Sequence, residues 1–200
     1  MPFRRKDAYY RRAKAEGFRA RSAFKLIELN QRFGLLPRDA FVVDLGAWPG
    51  GWLQVALDRV GPRGRVVGLD IVPITPLEAV NATVVVGDVR DPAAIATVRE
   101  RLRRPADVVL SDLAPKLSGV RTTDEAHAAE LVEATLSALP TLLKPGGRLL
   151  LKLFMGGGYK QILASTQKSF AEVRTVRPQA TRRGSTELYL VASGYRGGCL

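Results

Sequence analysis

The sequence predicts an α/β protein whose core is a doubly wound, mostly parallel sheet of seven strands. Three observations carry this reading. From Ala40 onward, short aliphatic and β-branched runs alternate with longer stretches of helical periodicity. The first unit, Phe41-Val42-Val43-Asp44-Leu45-Gly46-Ala47-Trp48-Pro49-Gly50-Gly51-Trp52, reads as buried strand, glycine turn and helix start. Each of the first four strands ends in an acid: Asp44, Asp70, Asp88 and Asp112. One such acid is often a turn residue, but four in succession exceed what turn chemistry explains. Ligands in doubly wound sheets bind beyond the C-terminal strand ends, where these acids fall.

Taken in order, residues 1–20 are basic, with Tyr9, Tyr10 and Phe18 interleaved. Basic groups there suit phosphates and the rings suit stacking on bases; a disordered or packed basic tail is the plainer reading. Residues 21–33 predict a helix, with Ser22 as N-cap, Phe24, Leu26, Ile27 and Phe33 apolar, Lys25 beside Phe24, and Gly34 and Pro37 closing it. A strand at 41–45 leads to a helix near 52–60 and the Gly61-Pro62-Arg63-Gly64 turn. Strands follow at 66–69 and 83–86, then a helix near 92–103 with Pro92 in its first turn. The fourth strand, 107–110, runs into Ser111-Asp112-Leu113-Ala114-Pro115. A helix over about 124–143 stops at Pro145-Gly146-Gly147, before a fifth strand at 148–154. The run Gly156-Gly157-Gly158 opens a helix near 159–169. Strands around 172–177 and 186–192, joined by a short link, predict a C-terminal antiparallel hairpin. There is no internal repeat and no second core, so residues 1–200 are expected to be one domain with a basic extension and helix over 1–38.

Composition narrows the chemistry. The formal net charge is +12, and residues 1–38 hold eleven Lys or Arg against Asp7, Glu16 and Glu28. Most of the excess therefore precedes the sheet. A polyanionic partner, nucleic acid above all, is the expectation; a solubility surface is the plain alternative. Cys199 is the only cysteine and His127 the only histidine, which excludes an internal disulfide and metal sites rich in either residue. No apolar run is long enough to span a membrane and no signal pattern opens the chain; with the lack of cysteine and histidine clusters this leads to the expectation of a cytosolic protein, and a monomer is expected.

The glycine turn lacks the G-x-G-x-x-G spacing of a dinucleotide site, which argues against a nicotinamide oxidoreductase. Asp44 at its start would repel a pyrophosphate and suit a ligand with positive charge, such as the sulfonium and ammonium of S-adenosylmethionine. A second reading has Asp44 merely capping the turn by accepting backbone N–H bonds. Asp70 is placed for two ribose hydroxyls, Asp88 for an adenine amino group, and Asp112 for the sheet centre where reacting atoms meet. Lys152 interrupts the apolar run Leu149 to Phe154. It is either an edge residue that snorkels to water or a functional group beside Asp112. Glu187 begins the last strand, which can bring it beside the fifth.

These residues resemble a known family. Asp44 to Trp52 is similar to the methionine-donor loop of the FtsJ/RrmJ ribosomal RNA 2′-O-methyltransferases. Ser111-Asp112-Leu113-Ala114-Pro115 followed by Ser118-Gly119 resembles their fourth-strand motif, and Arg21 to Leu26, Leu151 to Phe154 and Ser185 to Tyr189 fill the remaining places in order. The likeness covers roughly residues 9–193. Trp48 and Thr186 depart from it, standing where the family more often has a small residue and Arg. The resemblance implies a Rossmann-like, S-adenosylmethionine-dependent methyltransferase fold and a Lys-Asp-Lys-Glu tetrad at Lys25, Asp112, Lys152 and Glu187. It implies cofactor contacts at Gly51, Trp52, Asp70, Asp88 and Asp112, to which the turn itself adds Asp44 and Gly46. Its substrate would be a uridine 2′-hydroxyl in 23S-type large-subunit ribosomal RNA. Lys152 is the expected base: burial and Lys25 favour its neutral form, Asp112 and Glu187 its cation. Two alternatives stand beside this, a transfer-RNA 2′-O-methyltransferase and a non-catalytic RNA-binding ribosome-assembly factor.

Overall fold

Seven strands form one mixed sheet: β1 (Phe41–Leu45), β2 (Arg65–Asp70), β3 (Ala82–Val86), β4 (Ala106–Ser111), β5 (Leu143–Phe154), β6 (Phe170–Val176) and β7 (Glu187–Tyr195). The computed structural model describes residues 7–115, 118–156, 158–182 and 184–198. The basic residues Arg4, Arg5 and Lys6, as well as Gly157 and Cys199, lie outside them. The strand order is β3-β2-β1-β4-β5-β7-β6. The pairs from β3 to β5 are parallel; β7 runs antiparallel to both β5 and β6. The expected sheet and its antiparallel C-terminal end are both present.

Strands covered on two faces need continuous apolar runs, and β1, β2 and β4 have them. One face is packed by α4 (Pro92–Leu102), α5 (Arg121–Leu142) and α6 (Tyr159–Ser169), through residues such as Val98, Leu139 and Leu163. The other is packed by α2 (Ala23–Phe33) and α3 (Gly51–Val60), through Leu26, Leu29, Leu53 and Ala56. The strand order reverses between β1 and β4, which opens a crevice at their C-terminal ends.

Four local expectations need correction. Residues 8–15 form a helix, α1 (Ala8–Ala15), capped by Asp7, whose carboxylate accepts from the Tyr10 N–H at 2.9 Å. Tyr9 and Phe18 pack against Phe24 there, so of the three interleaved rings Tyr10 is the exposed one. Ser22 stands at the N-cap of α2, but its side chain caps nothing. Its carbonyl instead accepts from the Trp52 indole at 2.9 Å, so docking on α3 sets the helix start. The Pro145-Gly146-Gly147 turn lies inside β5, in a register shift between the pairs Ala106↔Leu143 and Val108↔Arg148. Lys144 reaches back to Asp107 at 2.5 Å across that irregularity. Finally, the link between β6 and β7 is not short. It spans 177–186 and packs on α1 and α2: Ala180 is buried beside Ala13 and Phe24, and the Gln179 N–H donates to Glu28 at 2.8 Å.

Candidate active site

β1 brings Asp44 to the switch point, level with Leu110 of β4 and Gly68 of β2. Its side chain is fully buried, and neither carboxylate oxygen has a hydrogen-bond partner among the described residues. The turn that follows is held by backbone instead: the N–H groups of Gly46 and Ala47 both donate to the Leu69 carbonyl, at 2.9 and 3.2 Å. Asp44 is therefore not a turn cap. Burial, reinforced by the nearby Asp112 and Asp70 carboxylates, holds it well above the usual carboxylate range. The site thus holds a buried carboxylate without a hydrogen-bond partner among the described residues, just behind the glycine turn.

Beyond Asp44 lies a cleft of about 780 Å³, running from Gly46 and Asp70 past Asp88 to Asp112 and flanked by His127 and Glu130 of α5. That volume suits a cofactor-sized ligand. Gly46 has φ +80°, and a side chain there would start 2.9 Å from Leu113, so glycine lets the β4–α5 loop close over the turn. Asp70 accepts from the Trp48 and Val72 N–H groups at 2.8 and 2.9 Å. Each of its oxygens retains a lone pair for a hydroxyl donor. Asp88 is gripped by Arg90 at 3.0 and 2.6 Å, hydrogen bonds that lower it below the usual carboxylate range. Trp48 lines the cleft at its rim, more than half exposed.

Gly51 and Trp52 sit differently from the expectation. Both lie in the first turn of α3, off the cleft, and the Trp52 ring is buried between Ser22 and Tyr189. What they can offer a ligand is first-turn backbone N–H groups rather than an indole face.

The four tetrad candidates come together from four elements or their ends. Lys25 projects from α2, Asp112 follows β4, Lys152 lies in β5 and Glu187 opens β7. Lys25 Nζ is 2.5 Å from Glu187 Oε1, Lys152 Nζ is 3.9 Å from Glu187 Oε2 and 3.2 Å from Asp112 Oδ1. The result is a line of alternating charge, Lys25–Glu187–Lys152–Asp112, that enters the cleft at Asp112. β5 lies between β4 and β7, so Lys152 is not at an edge, and its side chain is only 10% exposed.

One member of this cluster was assigned no role by the sequence reading. Tyr189, two residues beyond Glu187 and on the same face of β7, donates its hydroxyl to Asp112 Oδ1 at 2.7 Å. Its ring is fully buried against Trp52. Burial and the carboxylates of Asp112 and Glu187 hold the phenol well above its usual value, so it is a neutral donor. No local signal singled it out, since β7 also carries Glu187, Ser193 and Tyr195, and the hydroxyl's need for an acceptor follows only from the ring's burial.

The model of the FtsJ-like methyltransferase family matches residues 18–195. A Methanoculleus marisnigri protein named Ribosomal RNA large subunit methyltransferase E is 45% identical over 97% of this chain and 94% of its own length. One of the same name from Acidiphilium cryptum is 47% identical over 95% of this chain and 83% of its own. Among solved structures, a Plasmodium falciparum chain described as a ribosomal RNA methyltransferase superposes with a TM-score of 0.80 at 25% identity, over 90% of this chain and all (100%) of that one. Aeropyrum pernix fibrillarin with natively bound S-adenosyl-L-methionine superposes with a TM-score of 0.58 at 17% identity, over 86% of this chain and 76% of that one; this is a likeness of fold.

Proposed function

The chain belongs to the FtsJ-like methyltransferase family, and on that premise we propose that it methylates a ribose 2′-hydroxyl, that of a uridine in large-subunit ribosomal RNA, with S-adenosylmethionine as donor. The observation that carries this reading is the charge line Lys25–Glu187–Lys152–Asp112 running into a cleft lined by Asp70 and Asp88, with the buried Asp44 carboxylate just behind its glycine turn.

The cleft fits the donor in its chemistry. Asp44 is a buried acid that a cationic group brought beside it would draw into its ionised form, Asp70 has lone pairs for a vicinal diol, and Asp88 can share its oxygens between Arg90 and an exocyclic amine. The glycines of the turn allow close approach. When bound, S-adenosylmethionine supplies the methyl group and, as a sulfonium, most of the driving force. The chain's own residues align the acceptor and manage its proton. Lys152 takes the proton of the 2′-hydroxyl, and Lys25 and Glu187 position the ribose. Asp112, fixed by Tyr189 and Lys152, joins the acceptor side to the donor side. The exposed basic residues of the N-terminal region, such as Arg11, Arg12 and Lys14, contact backbone phosphates. This reading makes the protein a cytoplasmic monomer acting on the large ribosomal subunit or its RNA.

Tritium-labelled S-adenosylmethionine, offered with purified ribosomal subunits, free ribosomal RNA and bulk transfer RNA in parallel, tests the proposal. Nuclease digestion then locates the label. The expected result is a 2′-O-methyl group in large-subunit RNA. Label in transfer RNA would overturn the substrate and keep the reaction. Tight cofactor binding without label anywhere would favour a non-catalytic assembly factor.

A further inference from the structure

We propose that Arg21 and Arg182 form a binding site for one backbone phosphate of the RNA, and that Asp7 occupies this site in the free protein as a tethered competitor. The inference rests on the RNA reading above and adds a site and a regulation to it.

Arg21 lies just before α2, four residues ahead of Lys25. Its side chain is only 15% exposed. One guanidinium nitrogen donates to the Ala180 carbonyl of the β6–β7 link, and another meets Asp7 Oδ2. Arg182 Nε lies 3.6 Å from the same Asp7 oxygen. Tyr9 faces the Arg21 guanidinium at 5.7 Å. Burial and the Arg182 cation together push Arg21 below its usual value, and the Glu187 carboxylate pulls it back. Two arginines are thus held close at a cost, one from the start of α2 and one from the link, converging on a single anionic oxygen. That arrangement is phosphate-recognition chemistry, because a guanidinium fork matches phosphate oxygens as it does a carboxylate.

The charge of Asp7 is not needed for its other task. Its Oδ1 caps α1 through the Tyr10 N–H, and asparagine caps a helix equally well. What the carboxylate adds is neutralisation of the arginine pair. Being part of the chain, it competes at high effective concentration with any phosphate from outside. Arg21 directly precedes α2, the helix that carries Lys25 four residues on, which sets the pair on the Lys25 side of the tetrad. A phosphate held there flanks the nucleotide whose ribose reaches Lys152.

The test compares wild type, Asp7→Asn and Asp7→Asn/Arg182→Ala in salt titrations with a fluorescein-labelled single-stranded oligouridine RNA. Asp7→Asn is expected to bind about fivefold more tightly at low salt, the scale of one freed charge pair. Its log K against log salt should steepen by about 0.7, the increment for one further phosphate on a single strand. Adding Arg182→Ala should return both values to those of wild type. If Asp7→Asn binds no more tightly and keeps the wild-type slope, the competitor role is wrong while wild-type binding leaves the RNA reading intact. If Asp7→Asn gains affinity and the gain survives Arg182→Ala, the arginine pair is not the site. Absence of RNA binding by wild type overturns the RNA reading and this proposal together.

Discussion

Lys152 and Tyr189 show how much single side chains decide here. They are Cα partners across β5 and β7, and both reach Asp112 Oδ1, at 3.2 and 2.7 Å. Lys152→Ala should lower the single-turnover rate by about 10²-fold or more, the ordinary contribution of general acid–base groups. Lys152→Arg keeps the cation and cannot act as a base, so near-normal turnover by that variant would rule out the base role. Unchanged turnover by Lys152→Ala would rule out any role for the amine. Tyr189→Phe removes a hydrogen bond to a carboxylate, worth about 1.5–3 kcal/mol. Single-turnover rates should fall tenfold or more, with a smaller effect on cofactor Kd; equal losses in both would assign Tyr189 to cofactor binding rather than to positioning Asp112. Lys152 was legible because a lysine inside an aliphatic run is an anomaly in any chain. Tyr189 was not, because a tyrosine in a strand is ordinary until its hydroxyl is seen to need an acceptor.

At the scale of elements, α1 carries the basic N-terminal region as an ordered helix rather than a tail. Arg11, Arg12 and Lys14 are exposed on it. Arg19 is spoken for differently: it donates to the Thr75 and Pro76 carbonyls at 2.5 and 2.9 Å and so ties the β2–β3 segment to the N-terminal region. Replacing Arg11, Arg12 and Lys14 by Gln should weaken RNA binding and flatten the salt slope by up to about 2, at roughly 0.7 per phosphate contact. Cofactor binding should be spared. An unchanged slope would show that the grip lies elsewhere, and the β6–β7 link is then the next element to test. The helix was hard to read because its apolar stripe is thin: Ala13 is the buried residue, and partners from α2 and the link complete its core. The length of the link was missed for a related reason, since its described residues combine short turns, such as the Thr181 N–H to the Pro178 carbonyl, with packing on α1 and α2 that no local pattern announces.

Stability is a property of the whole molecule, and Asp44 sets part of its pH dependence. Its folded-state pKa is raised, so the native state holds the proton more tightly than the unfolded chain does. Stability from this group is therefore present at low pH. It is lost as pH rises from the unfolded carboxylate value, near 3.9, through the raised folded value. Asp44→Asn should remove that loss and raise the cofactor-free Tm at pH 7, at roughly 2–4 °C per kcal/mol of relief for a chain of this size. The same variant should bind S-adenosylmethionine more weakly. A wild-type Tm equal to or above that of the variant at pH 7 would mean that Asp44 is compensated in the native state. The same division between local and assembled features runs through the whole chain. The sequence by itself determined the parallel sheet, its strand-end acids and the glycine turn, because alternation, burial on two faces and backbone freedom are local properties of a segment. It also marked Lys25, Asp112, Lys152 and Glu187, through their resemblance to a family pattern. Only the tertiary structure decided that Asp44 is left without a hydrogen-bond partner among the described residues, that Trp52 turns into the core, that Tyr189 joins Asp112, and that Asp7 meets Arg21 and Arg182. Each of those depends on which side chains the strand order and the packing of distant segments bring within a few ångströms, and no local pattern in the chain encodes that proximity.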